Sequence, residues 1–451
     1  MSAKRVARNT LWIVLVLIIV SVAVFGWNLS QVSTLKAQPV TSVAAAALLR
    51  QPIADTTPQA EQVRRGQYLV AVGDCMSCHL RPGGEPFAGG RGLNTPFGVI
   101  YSSNITSDAE AGIGAWTSDQ FHRAMHEGKN AHGQNLYPAF PYPWFNRVSR
   151  ADDDAIFAYL KTTRAVHYTP PADPLPFPLN IRAMVGGWNL LFFRKSEFKA
   201  DPRQSAEWNR GAYIVNGLGH CSACHTAKNM LGADKSGHAF EGGVLEDFVA
   251  PDLTGNPRTG LGAWSVDDIT EYLHAGRNAR AGAGGPMADV ITYSTSLMTD
   301  QDRHAIATYL KSLPASPNES LSTPDASAMK RGAAIYSDAC TGCHLENGVG
   351  QPRLFPPLGK NAVVQQNDPT GVIHLILAGG RIGPGANRPS PLSMPSFAWK
   401  LTDQEVADVA TYLRNSWGNQ ASVVVASKVH DQRKRLGLQT LRLTDNSGDH
   451  Q

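Results

Sequence analysis

Apolar residues fall into two kinds of pattern along this chain. From Leu11 to Trp27 they are nearly continuous, broken only by Ser21 and Gly26. Beyond that run they recur at three- and four-residue intervals, the period of an amphipathic helix. Three such stretches share a lead-in: Arg65-Gly-Gln-Tyr-Leu-Val, Arg210-Gly-Ala-Tyr-Ile-Val and Arg331-Gly-Ala-Ala-Ile-Tyr. Three more share an ending: Ala155 to Leu160, Ala305 to Leu310 and Val409 to Leu413, each closing on Tyr-Leu. Thr402 and Glu405 before the last one match a capping box, in which the threonine caps the first turn and the glutamate reaches back. Between these lie helices read from Trp116 to Gly128 and from Trp264 to Gly276, with glycine where a helix ends in left-handed backbone. The third copy lacks the tryptophan but keeps Leu377-Ala-Gly-Gly380. No alternating stretch predicts a strand.

The pattern therefore predicts an all-α protein of three tandem units. A chain of 451 residues also exceeds one compact core and suggests about three domains. The expected units are 58–168, 200–314 and 326–420, each a helical domain of roughly a hundred residues, followed by a tail over 421–451. Tyr168 to Pro178 is a stiff proline-rich connector, and Pro314 to Ala326 is a Ser/Pro-rich linker. The apolar cluster Trp188 to Phe193 suits either packing between the first two units or contact with a membrane or subunit.

Residues 1–30 read as a signal anchor. Lys4, Arg5 and Arg8 precede the apolar run, an arrangement that favours export of the downstream chain. The run has about the minimum length for a bilayer span. Trp27-Asn28-Leu29-Ser30-Gln31 is a poor cleavage site, so an uncleaved membrane helix is expected; a mature start near Gln38 is the cleaved alternative. In both cases the bulk of the chain lies outside the cytoplasm. Composition adds little: the chain is 42% hydrophobic, 17% charged, with a net charge of +4. It has no long lysine–arginine run, so no nucleic-acid partner is expected.

The cysteines change the picture. All six lie in three pentapeptides: Cys75-Met-Ser-Cys78-His79, Cys221-Ser-Ala-Cys224-His225 and Cys340-Thr-Gly-Cys343-His344. Cys-x-x-Cys-His is the attachment signature of c-type haem. Two thiols on one turn form thioethers to a single porphyrin, and the following histidine binds its iron. Three covalent haems are expected. Zinc is the competing reading, but three cysteine pairs leave one without a partner, and zinc gives no reason for the repeated histidine. A disulfide framework is not needed by a chain of this length.

A methionine on the opposite face of the porphyrin completes a class I site. Met394, in Ser393-Met-Pro-Ser-Phe397, is the candidate in the third unit, and Met287 in the second. Met298 rivals Met287, but it precedes Thr299-Asp-Gln as Leu401 precedes Thr402-Asp-Gln, a core position. In the first unit, Tyr137-Pro-Ala-Phe140 puts a phenylalanine in the methionine place. Met125, His122, His126, His132 and Met184 are nearby in sequence and none is marked out, so the sixth ligand there stays open. No Gly-x-Gly-x-x-Gly fingerprint or phosphate loop points to substrate chemistry on this chain.

From about Val63 to Trp417 the chain resembles the three-haem cytochrome c subunit of membrane-bound bacterial dehydrogenases. Leu136-Tyr-Pro-Ala-Phe-Pro-Tyr142, Trp208-Asn-Arg-Gly-Ala-Tyr213, Gly219-His-Cys-Ser-Ala-Cys-His-Thr226 and Ser416-Trp-Gly-Asn419 carry the likeness. The resemblance implies three class I cytochrome c-type domains after a membrane helix, on the periplasmic face of the inner membrane. It implies a catalytic partner of flavin, quinoprotein or molybdenum type, and ubiquinone or a terminal oxidase as acceptor. Phe140 where the alcohol and sugar dehydrogenase subunits generally have methionine leans toward a molybdenum hydroxylase partner. Two other functions stay open: a haem enzyme reacting at an open first iron, peroxidase-like, and a free-standing carrier between quinol and oxidase.

Overall fold

A computed structural model of the protein describes residues 42–53, 57–245, 247–319, 321–383 and 392–439, together with Trp12, Leu15, Ala23, Gly26 and Trp27. Most of the Leu11–Trp27 run, and with it the expected membrane helix, lies outside the described residues. Among the described residues no helix is long and apolar enough to cross a membrane.

Helices form where apolar residues recur with helical spacing and a polar cap precedes them. A short α1 (Val43–Leu48) comes first. The lead-in helices are α2 (Pro58–Val72), α8 (Ala206–Asn216) and α13 (Ala326–Ala339), begun by the side-chain caps Thr57, Ser205 and Asp325. Each runs into a short helix carrying the Cys-x-x-Cys-His: α3 (Cys75–His79), α9 (Ser222–His225) and α14 (Thr341–His344). Helices α4 (Ser118–Glu127) and α10 (Val266–Ala275) start on capping boxes at Thr117 and Ser265. They end at Gly128 and Gly276, with φ of 61° and 68°. The closing helices are α6 (Arg150–Leu160), α12 (Asp300–Lys311) and α16 (Asp403–Arg414), the last begun by the Thr402–Glu405 capping box. The set is completed by α5 (Tyr142–Phe145), α7 (Met184–Phe192), α11 (Pro286–Tyr293), α15 (Thr370–Ala378) and α17 (Ala426–Arg435).

The repeated Arg-Gly of the lead-in helices has a physical role. At Gly211 an added Cβ would lie 2.0 Å from the Ala305 carbonyl oxygen, and at Gly332 2.3 Å from that of Asp408. Glycine thus lets α8 cross α12, and α13 cross α16, backbone to backbone. The neighbouring arginine ties the same crossing to a buried carboxylate. Arg210 donates to both oxygens of Asp302 (2.8 and 2.7 Å), and Arg331 to both of Asp408 (2.5 and 3.0 Å).

Two expectations are corrected. The protein is not all-α. Among the described residues it contains three two-stranded antiparallel sheets, β1 (Gly92–Thr95) with β2 (Gly98–Tyr101), β3 (Gly243–Leu245) with β4 (Phe248–Ala250), and β5 (Gly380–Arg381) with β6 (Ser393–Met394). Strands this short cannot build an alternating signal. Nor do three tandem domains emerge. The described residues form two compact units, one over 78–197 and the other from those of 42–77 with those of 198–439.

The second unit is large because its segments hold one another. Tyr68 on α2 donates to Asp302 (2.5 Å), and Ser294 donates to the Val72 carbonyl (3.2 Å). The second and third repeats are joined by Arg258 to the Gln420 carbonyl (2.8 Å), Gln366 to the Thr259 carbonyl (2.5 Å) and Arg353 to Glu271 (2.5 Å). Val406, Ala407, Ala410, Ile373, Leu377 and Val429 are almost fully enclosed in its core. Past residue 420 the chain adds to that core. Arg433 of α17 is buried and donates to the Ala398 and Leu401 carbonyls. In the first unit, Phe121 stacks on Phe157 at 5.2 Å between α4 and α6. Leu190 and Leu191 of α7 are exposed, so the Trp188–Phe193 cluster presents apolar surface.

Candidate haem centres

One helical turn is enough to place the first cysteine, the second three residues later, and the histidine along one side of a short helix. The second requirement is a fixed imidazole. His79 Nδ1 lies 2.6 Å from the Ser103 carbonyl oxygen, His225 Nδ1 2.7 Å from that of Pro251, and His344 Nδ1 3.1 Å from that of Pro356. A carbonyl only accepts, so Nδ1 carries the proton in each ring and Nε2 is the nitrogen with a lone pair to give. Burial lowers the pKa of all three histidines, which keeps them neutral, as a metal ligand must be. A backbone acceptor on a ligand's other nitrogen is how proteins orient metal-bound histidine.

These acceptor carbonyls have no side-chain signature, and sequence reasoning missed them. A partial signal exists. Asn104 and Asp252, which follow the first two acceptors, each accept from the backbone N–H two residues on, at Thr106 (2.9 Å) and Thr254 (2.7 Å). The recurrence of Asn-Ile-Thr and Asp-Leu-Thr marks a local turn that aims the preceding carbonyl at the imidazole.

The second and third motifs share one cavity of about 440 Å³. Cys221, Cys224 and His225 line it, and so do Cys340, Cys343 and His344. Its remaining walls are mostly apolar. Met287 at the start of α11 and Met394 on β6 both face this space. A narrower cavity of about 130 Å³ brings Cys340, His344, Met394 and Phe397 together. Met298 also reaches the larger cavity and is buried, so the structure places both Met287 and Met298 in its wall.

The first unit differs. Phe140 precedes α5 and packs edge-on against Phe145, with ring centroids 5.5 Å apart. Met125 is buried on α4, and Met184 is exposed at the start of α7. His122 and His126 both turn to Asp153, at 2.6 and 3.0 Å.

The donor set fits covalent haem. The six cysteines form no disulfide. Among the described residues, the one group of three or more potential metal ligands with converging donor atoms is His122, His126 and Asp153, so the cysteine pairs do not assemble into a zinc site. In unreacted form the Cys221 and Cys340 thiols are pushed up by burial, to about 12 and about 11. An apolar slot with two thiols, an oriented neutral imidazole and a facing thioether matches haem c, whose body is apolar and whose iron takes nitrogen and sulfur.

Comparison with known proteins agrees. The cytochrome c family model matches residues 209–314 and 329–417, the regions of the second and third motifs. The chain is 38% identical to the cytochrome c subunit of the quinone alcohol dehydrogenase of Gluconacetobacter polyoxogenes, over 86% of this chain and 87% of that one. It is 37% identical to the gluconate 2-dehydrogenase cytochrome c subunit of Pantoea cypripedii, over 83% and 90%. It is also 39% identical to a nicotinate dehydrogenase subunit of Pseudomonas putida, over 81% of this chain but only 32% of that longer protein. The fold and the histidine-and-cysteine sites define a covalent haem c electron-transfer protein. The chain belongs to the family of cytochrome c subunits of bacterial dehydrogenases.

Proposed function

We propose that the chain holds three covalent c-type haems and conducts electrons from a catalytic dehydrogenase subunit to membrane ubiquinone or a terminal oxidase, on the periplasmic face of the inner membrane. The single observation that carries this is the shared cavity. Two complete Cys-x-x-Cys-His sites open into one apolar space, so two haems would lie within one water-poor interior. A carrier needs such proximity, whereas a substrate-converting enzyme needs a polar reaction site beside the iron.

Bound haem supplies one-electron chemistry by cycling between ferric and ferrous iron. The protein's part is placement and tuning. Cys75, Cys78, Cys221, Cys224, Cys340 and Cys343 fix the macrocycles. His79, His225 and His344 present Nε2, held by their Nδ1 bonds to backbone carbonyls. Met287 and Met394 present soft thioethers, which favour ferrous iron and raise the potential. Apolar walls exclude the water that would otherwise stabilise the more charged state.

The partner chemistry is suggested by the relatives. Their names include alcohol, gluconate and fructose dehydrogenase cytochrome subunits and a nicotinate dehydrogenase subunit. Substrate oxidation would reside on that partner, of flavin, quinoprotein or molybdenum type; Phe140 in the methionine place favours the molybdenum type. A periplasmic location is supported by the export-type N-terminus and by the haem attachment motif. Purification of the tagged chain from its native host under mild detergent tests the proposal. Co-purification of a catalytic dehydrogenase is expected. A chain that isolates alone, with peroxide turnover, would overturn it.

A further inference from the structure

The first unit contains a cluster of donors that the haem sites do not use. His122 and His126 stand one helical turn apart on α4, with ring centroids 4.0 Å from each other. Asp153 reaches them from α6, and its side chain is fully buried. Its ion-pairing partners among the described residues are these two histidines. His122 Nδ1 lies 2.6 Å from Asp153 Oδ2. His126 Nε2 is 3.0 Å from the same oxygen but lacks hydrogen-bond geometry. Asp153 Oδ1 has no hydrogen-bond partner among the described residues. A buried carboxylate with an unused oxygen beside a buried, unused imidazole nitrogen is costly as it stands.

We propose that His122 Nδ1, His126 Nε2 and the Asp153 carboxylate bind a divalent metal ion of the zinc class, clamping α4 to α6.

The chemistry suits that ion. Two imidazole nitrogens and one carboxylate oxygen are a three-ligand set that leaves the fourth tetrahedral position for water. All three donors lie within 4.8 Å of one another. Bonds of about 2.0–2.1 Å would set tetrahedral donors roughly 3.3 Å apart. The 2.6 and 3.0 Å contacts reach that spacing by sub-ångström side-chain shifts. His122 and His126 are 28% and 18% exposed, which gives the ion a path from solvent. Neighbouring Asp154 is already engaged by Arg150 (2.8 Å) and Ser118, so the set is limited to three protein ligands.

The helix pair does not itself demand these residues. When Gly128 is aligned with Gly276 and Tyr159 with Tyr309, the second repeat has Thr270, His274 and Arg303 at the same three places. There the buried Arg303 donates to the Thr295 and Met298 carbonyls and no ligand set forms. The equivalent helix pair of the second repeat is thus built without a ligand set, its arginine serving the turn that leads into α12, whereas the first repeat carries a converging His-His-Asp set.

Haem-loaded full-length protein, treated with chelator and dialysed against zinc at neutral pH, provides the test. Zinc is measured by mass spectrometry against haem absorbance. One zinc per chain is expected beyond the haem iron, with a rise in thermal midpoint. Asp153→Asn and His126→Gln should each weaken binding by more than the roughly 10–100-fold that loss of an outer-shell partner costs, and abolish the thermal shift while leaving the Soret spectrum unchanged. Should Asp153→Asn fail to accumulate, His122→Gln supplies the same comparison at a partly exposed position. Absence of stoichiometric zinc, or equal zinc affinity in the wild type and the variants, overturns the proposal.

Discussion

Replacing Gly332 by alanine probes the helix crossing beside the third Cys-x-x-Cys-His motif. An added Cβ would sit 2.3 Å from the Asp408 carbonyl oxygen and 2.6 Å from Tyr412 Cβ. Comfortable separations are about 3.5 Å, so α13 and α16 must part by about an ångström. The nearest obstruction is backbone, which no rotamer change relieves. Overpacking costs about 1–3 kcal/mol, and an obstruction by backbone falls in the upper part, about 2–3 kcal/mol, against about 1 kcal/mol gained from the helix propensity of alanine. A net loss of about 1–2 kcal/mol results, equivalent to about a 5–30-fold rise in local opening. Native-state hydrogen exchange on the holoprotein reads this locally, which suits a chain whose units need not unfold together. Peptides from Ala326–Ala339 and Asp403–Arg414 should exchange faster by that factor. Gly342→Ala is the control. Its Cβ meets nothing within 4 Å, and the second motif already has Ala223 there, so no measurable change is expected. Equal exchange in the two variants would refute the crossing argument.

Other consequences can be checked directly. Pyridine haemochrome assay and intact mass should give three haems per chain, and replacing both cysteines of one motif should remove one. If the family's weak far-red methionine–iron band is present, Met287→Ala and Met394→Ala should each remove about half of it and Phe140→Met should add a share; loss on Met298→Ala instead would reassign the second site. Asp302 is pushed up by burial but pulled down further by Arg210 and Tyr68, so its folded pKa lies below the ordinary value. Its contribution is therefore present at neutral pH and is lost as pH falls through that lowered pKa. Asp302→Asn should cost about 2–3 kcal/mol at neutral pH, below the roughly 3–5 kcal/mol of a fully buried pair because Arg210 is one-third exposed, and should flatten the acid limb of stability.

Much of the local structure was readable before any coordinates. Helical spacing located the lead-in and closing helices, and Thr402 with Glu405 announced a capping box that the structure contains. Gly128 and Gly276 stop their helices in left-handed backbone as their positions suggested. Larger organisation was not readable. The second unit is held by dispersed contacts such as Arg258 to Gln420 and Gln366 to Thr259, which leave no periodic trace. The strand pairs are too short for alternation, and Gly380–Arg381 with Ser393–Met394 is only two residues a side. At the candidate sites, the cysteines and histidines stand out as a repeated motif, but the carbonyls of Ser103, Pro251 and Pro356 act through backbone that any residue has. The spacing of His122 and His126 was visible, while the arrival of Asp153 from another helix required the fold.

The central claim is that electrons enter this chain from a dehydrogenase and leave by its haems. Anaerobic addition of the partner's substrate to the co-purified complex, followed at the ferrous haem bands, tests it most directly. The account predicts that substrate reduces the haems within catalytic turnover time and that an added ubiquinone analogue reoxidises them. Haems that stay ferric while the partner turns over with an artificial acceptor would contradict it.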